Sequence, residues 1–160
     1  QQYVMLLTLI PKVGEHALRG ERFGRGQNLL HRLAASPCDA QSQDAFMKAA
    51  GKLLERGVPL AADELGQTPL HLAAGSQHLG LVELMLGHGS AAPGLARAPD
   101  AEGLTALGLA FAAGDFRRSL EIARRLLAKG ASAREAKVRL GDGTEMPVLS
   151  YCISTRQKPY

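Results

Sequence analysis

The sequence predicts an all-α chain of stacked helix-turn-helix units, and three observations carry that expectation. Apolar residues make up 46% of the 160, yet aromatics are only 4% and Trp is absent, so the core is built mainly from Leu and Ala, a composition suited to closely packed helices. The apolar residues recur at helical spacing rather than in strand-like alternation. One punctuation also repeats: Gly26-Gln27-Asn28, Gly66-Gln67-Thr68 and Gly103-Leu104-Thr105 each place a glycine two residues before a helix-capping side chain. The length allows one compact domain or a short array of small units.

The elements follow in order. Tyr3–Ile10 reads as the outer helix of a truncated unit, stopped by Pro11. Asn28-Leu29-Leu30-His31 opens the first full unit, and Phe46, Ala50, Leu53 and Leu54 mark a later helix that stops at Gly57. In Asp63–Ser90, Thr68 is positioned as an N-cap and Pro69 at the first helical position, where its missing N–H costs nothing. Leu70, Ala73 and Ala74 share one face, and their small size lets a second helix approach. After Gln77-His78, a stripe of Leu81, Val82, Met85 and Leu86 marks that second helix, with Gly89 as its closing turn. Thr105-Ala106-Leu107 and Ala110 restart the pattern. Beyond Gly114-Asp115 a strongly amphipathic helix is predicted from about Phe116 to Lys129, with Phe116, Leu120, Ala123 and Leu127 as its apolar stripe, ending at Gly130. Thr144–Ser150 reads as a degraded start of one more unit.

These residues resemble ankyrin repeats. The resemblance is carried by Thr68-Pro69-Leu70-His71-x-Ala73-Ala74, by Val82-Glu83-Leu84-Met85-Leu86 and by the closing Gly89, and it extends over roughly residues 22–153. It implies an ankyrin-repeat solenoid with β-turn or hairpin fingers. The divisions are a partial unit at 1–14, repeats at about 22–60, 61–97 and 98–134, and a degenerate terminal unit at 139–156, all in one domain cut from a longer chain. Glycines 26, 66 and 103 are spaced 40 and 37 residues apart, against a family period of about 33. The extra length falls at 36–43, or in a longer second helix, and at 91–99.

Neither catalytic nor cofactor chemistry is encoded. Cys38 and Cys152 are far apart and lack CxxC companions, which excludes a zinc cluster or disulfide framework and fits a reducing, intracellular compartment, cytoplasmic or nuclear. No HExxH appears. The resemblance implies that His71, His78 and, by registration, His31 tie helix starts to neighbouring loops by hydrogen bonds. His88 falls in a helix-ending turn and His16 in an unplaced loop. Gly24-Arg25-Gly26 lacks the third glycine of a dinucleotide fingerprint, and Gly51-Lys52 lacks the rest of a P-loop. No apolar run reaches the roughly 20 residues of a membrane-crossing helix.

The expected function is therefore a non-catalytic protein-interaction module, with no cofactor, metal or small-molecule substrate and no membrane insertion. The cupped architecture of the family implies that a protein or peptide partner meets the finger tips and first helices: Arg25, Asp63, Glu64, Leu65, Asp100, Glu102 and Leu104 at the tips, with Arg32, Leu72, Ser76 and Leu109 on the palm. Leu65, Leu72, Leu104 and Leu109 either form an apolar strip facing the groove or pack between adjacent first helices. A strip rimmed by acids suits an amphipathic helix or extended peptide with basic flanks. Two alternatives stand beside this reading. One is a regulatory or substrate-recruiting domain within a larger enzyme. The other is nucleic-acid or acidic-partner binding through residues 117–139, including Arg117, Arg118, Arg124 and Arg125. Asp115–Arg139 holds eight Arg/Lys against three Asp/Glu, an excess larger than the +4 of the whole chain. The less specific account is a solvated helix face, favoured because no aromatic side chain is interleaved for base stacking.

Overall fold

The computed structural model describes residues 5, 8–12, 14–20, 22–88 and 94–156. Their order is a 3-10 turn at Ile10–Lys12, α1 (Glu15–Gly20), a 3-10 turn at Gly24–Gly26, α2 (Leu29–Ala35), α3 (Gln43–Glu55), α4 (Pro69–Gly75), α5 (Leu79–Gly87), α6 (Ala106–Ala112), α7 (Phe116–Ala128), the strands β1 (Lys137–Arg139) and β2 (Glu145–Pro147), and α8 (Val148–Arg156). Of the expected helix Tyr3–Ile10, residues 1–4, 6 and 7 lie outside the described residues, while Met5, Thr8 and Leu9 are helical. Gly89 and residues 90–93 also lie outside them.

Helix starts follow the capping chemistry. The Asn28 side chain accepts from the His31 N–H at the start of α2, and Thr105 and Asp115 cap α6 and α7 in the same way. Pro69 occupies the first turn of α4 behind Thr68. Inner helices α2, α4 and α6 pack side by side, and α3, α5 and α7 form a second layer behind them. The core lies between the layers. Leu30, Leu70 and Leu107 from the inner helices meet Phe46, Leu53, Leu54, Leu81, Met85, Ile122 and Leu126 from the outer ones, all 2% exposed or less.

The outer helix α7 is rotated relative to the expected stripe. Its buried residues are Ser119, Ile122, Ala123 and Leu126, whereas Leu120 and Leu127 are 45% and 44% exposed. The displaced phase has a polar cause. Ser119 faces the core because its hydroxyl donates to the Ala110 carbonyl (2.6 Å) and also lies 2.8 Å from that of Asp115.

Both suspected sources of extra length contribute to the first repeat interval. Residues 36–42 form a loop, and α3 has 13 residues where α5 has 9. In the second interval, a turn over Gly94–Arg97 drives Leu95 and Ala96 into the core.

Candidate protein-binding face

Four turns project from the same edge of the helix stack and share one hydrogen-bond frame. Phe23, Asp63, Asp100 and Leu140 each donate their N–H to the carbonyl four residues on, at Gln27 (2.7 Å), Gln67 (2.8 Å), Leu104 (2.8 Å) and Thr144 (2.8 Å). Each turn carries a glycine with positive φ, namely Gly26, Gly66, Gly103 and Gly143, because the chain there enters the left-handed region. The first three are short fingers. The fourth is lengthened into the β1/β2 hairpin, with Lys137 opposite Pro147 and Arg139 opposite Glu145.

Adjacent fingers are tied together. Glu64 N–H donates to the Arg25 carbonyl (3.0 Å) and Ala101 N–H to the Leu65 carbonyl (2.8 Å). Side chains repeat the linkage: Gln27 donates to Asp63 (3.2 Å) and Gln67 to Asp100 (3.3 Å). Arg139 of the hairpin forms ion pairs with Glu102 and Glu145, and Glu145 holds a carboxyl below its usual range chiefly through its hydrogen bond to Arg139.

Asp63 and Asp100, expected at the tips, are buried. Oδ1 of Asp63 accepts from the N–H groups of Leu65 and Gln67, both at 2.9 Å, and Oδ1 of Asp100 accepts from Glu102 (3.0 Å) and Leu104 (2.9 Å). These carboxylates therefore shape the turns from within. Leu104 is also buried, at 4% exposure, so the structure removes it from the expected apolar strip. Arg25, Glu64, Leu65 and Glu102 do stand out from the tips. On the palm, Arg32 and Ser76 are exposed, whereas Leu72 and Leu109 are half-buried. Leu72 packs against the core, and Leu109 lies beside Gly75 of α4. Both leucines thus bury part of their surface in the helix layer and leave part of it open.

The histidines are joints. His31 accepts from the Asn28 N–H through Nδ1 (3.2 Å) and reaches the Gln67 carbonyl through Nε2 (2.9 Å). His71 repeats this between the Thr68 N–H (3.1 Å) and the Ala98 carbonyl (2.9 Å). Desolvation by burial pushes the pKa of both imidazoles below the ordinary 6.5, which keeps Nδ1 free to accept. His78 bridges to the Ser36 carbonyl (2.9 Å) and lies against the Phe46 ring. At the place on α6 that corresponds to His31 and His71 stands Gly108, where any Cβ would overlap the Lys137 carbonyl. The fourth finger seats directly on α6 in consequence.

The basic segment is exposed but partly neutralised. Arg125 pairs with Glu83 of α5 (2.7 Å) and Arg118 with Asp115 (3.5 Å). Arg117 and Arg124 have no ion pair among the described residues. Between the helix-loop turns, an open cleft of about 640 Å³ is lined by residues including Ser36, Cys38, Ser76, His78 and Arg118. Among the described residues, no group of three His, Cys, Asp or Glu is arranged to hold a metal ion, and no helix is long and apolar enough to cross a membrane.

A family model described as ankyrin repeats, in three copies, matches residues 9–137. The chain belongs to the ankyrin-repeat family. Its helix pairs and turn fingers agree with that membership, the hairpin being a small β addition to an otherwise helical array. Ankyrin repeats are generally protein–protein interaction modules and are typically non-catalytic. Among curated proteins, none matches this chain. Two modest sequence signals accompany these features. Asp at the turn start with Gly three residues later, at 63/66 and 100/103, marks a carboxylate used inside its own turn. Leu95-Ala96 within a Gly- and Pro-bearing segment marks a loop that enters the core.

Proposed function

We propose that this ankyrin array recruits a partner protein through its finger tips and the adjoining palm, with Leu65 and Glu64 of the second finger at the centre of the footprint. The observation that supports this reading most is the exposure of Leu65, 41%, on a finger whose backbone is tied to both neighbours. An apolar side chain held at a rigid tip loses little entropy on binding, so its burial is available as affinity. Glu64 and Glu102 flank it, while Arg25 and Arg32 extend the face on the first unit. The partner segment that suits this arrangement carries an apolar anchor beside basic residues. Leu72 and Leu109 contribute only their exposed edges.

The test compares capture from a cell lysate by wild type and by Leu65→Glu/Glu64→Lys, both exposed substitutions that leave the buried turn frame intact. The account expects a protein captured by wild type and lost from the variant, with circular dichroism unchanged. Equal capture by both would remove the finger-tip reading.

A further inference from the structure

The charged side chains of the four turns, at 22–27, 63–67, 100–104 and 137–147, divide into an engaged set and an open set. On the third finger and the hairpin all are engaged. Arg139 forms ion pairs with Glu102 and Glu145, and Lys137 lies 3.8 Å from the Glu145 carboxylate. Asp142 accepts from the Thr144 N–H (2.9 Å) and hydroxyl (2.7 Å). Asp63 and Asp100 are taken up inside their own turns, and Arg22, just before the first finger, is also engaged. Arg25 and Glu64 form the open set: both are exposed, and neither has an ion pair among the described residues.

These two charges are opposite in sign and fixed in place. Arg25 has φ +66°, in the left-handed region that residues with a Cβ ordinarily avoid, and its carbonyl accepts the Glu64 N–H (3.0 Å). The two backbones touch, yet no ion pair joins the side chains. Leu65 follows Glu64 directly, so the acid and the exposed apolar group leave the same tip, with the cation on the neighbouring one. Arg32 of α2 adds a second exposed cation to the first unit. From the first finger to the third, the face therefore offers a cation, then an anion beside an apolar group, then an anion already neutralised by Arg139.

We infer that the partner segment carries opposite charges in a fixed order: an Asp or Glu over Arg25, a Lys or Arg over Glu64 beside the apolar group that covers Leu65, and no charged side chain over the third finger. The inference rests on the finger-tip reading and adds to it the order of charges. Arg139 sets the last condition, because it holds Glu102 in an ion pair and so confines the demand for a base to Glu64. A charge order of this kind fixes the register in which a segment lies across the fingers and rejects segments with the order reversed.

The test probes an array of short Ser/Ala peptides with the whole 160-residue protein, each peptide having a central Leu and a single Glu and a single Lys walked through the other positions. Wild type binds best those with Lys beside the Leu and Glu farther out. The exchange Arg25→Glu/Glu64→Arg inverts this preference, to Glu beside the Leu and Lys farther out, with circular dichroism unchanged because both positions are exposed. A second Lys, on the side of the Leu away from the Glu, strengthens binding to Arg139→Gln by about threefold, the scale of an exposed ion pair, and leaves binding to wild type as it was. Leu65→Glu loses the whole array. The failures are distinguishable. Equal binding of all charge orders, or an exchange variant that keeps the wild-type order, overturns the inference while the loss in Leu65→Glu still supports finger-tip recruitment. An equal gain from the second Lys in wild type and Arg139→Gln overturns the part assigned to Arg139. No binding by wild type, or binding that Leu65→Glu leaves intact, overturns both readings.

Discussion

Gly66 and Gly51 make opposite use of the same missing side chain. Gly66 has φ +71°, and a Cβ there would meet the Ala101 nitrogen at 2.7 Å, so Gly66→Ala combines the left-handed strain of about 1–2 kcal/mol with displacement of the third finger. Gly51 sits inside α3 with open space around the position a methyl group would take, nothing lying within 4 Å, and Gly51→Ala stabilises by about 0.5–1 kcal/mol through helix propensity. Urea midpoints of the two variants move in opposite directions from wild type. The histidine joints add a pH dependence with a definite sign. Burial lowers the pKa of His31 and His71 below 6.5, so the unfolded chain takes up protons first as pH falls. Stability is at its full value above about pH 6.5 and declines below it. Urea midpoints measured at pH 7.5 and pH 5 decrease accordingly, and His71→Gln, while less stable at both, shows a smaller decrease.

At the scale of the element, α7 separates residues that look alike in sequence. Ile122 and Leu126 are wholly buried, whereas Leu120 and Leu127 are more than two-fifths exposed. Ile122→Ala costs about 2–5 kcal/mol, and Leu127→Ala costs less than about 1 kcal/mol, as surface changes do. Comparable losses from the two would contradict the observed rotation of the helix. The helix itself was legible from its start signal at Asp115 and its stop at Gly130, but its phase was not. A rule that counts only apolar residues places Leu120 and Leu127 inward, because it gives no weight to Ser119, whose hydroxyl is satisfied by a carbonyl of the preceding helix. The same blindness applies to Asp63 and Asp100: as charged residues in a turn they read as surface groups, yet their carboxylates accept backbone N–H groups and are drawn inward. Thr68-Pro69-Leu70-His71 was transparent because its capping constraints are local, within one helical turn, while the bond of His71 to the Ala98 carbonyl lay beyond the sequence signal. Gly108 was not, since its meaning depends on Lys137, a residue in the next finger.

Across the whole molecule, the repeats form one row of coupled fingers. Glu64 N–H donates to the Arg25 carbonyl and Ala101 N–H to the Leu65 carbonyl, and the ion pair of Glu102 with Arg139 continues the row to the hairpin. That continuity makes the finger edge one tied surface, set apart from the layer of outer helices. Site-specific photo-crosslinking tests the proposed recruitment most directly, with a benzophenone side chain placed in turn at Leu65 on the second finger and at Lys52 on the exposed surface of α3, in lysate. The account predicts a covalent adduct with a discrete partner protein from position 65 and none of that protein from position 52. An adduct of the same partner from position 52, with position 65 unreactive, would contradict finger-tip recruitment and move the binding face to the back of the array.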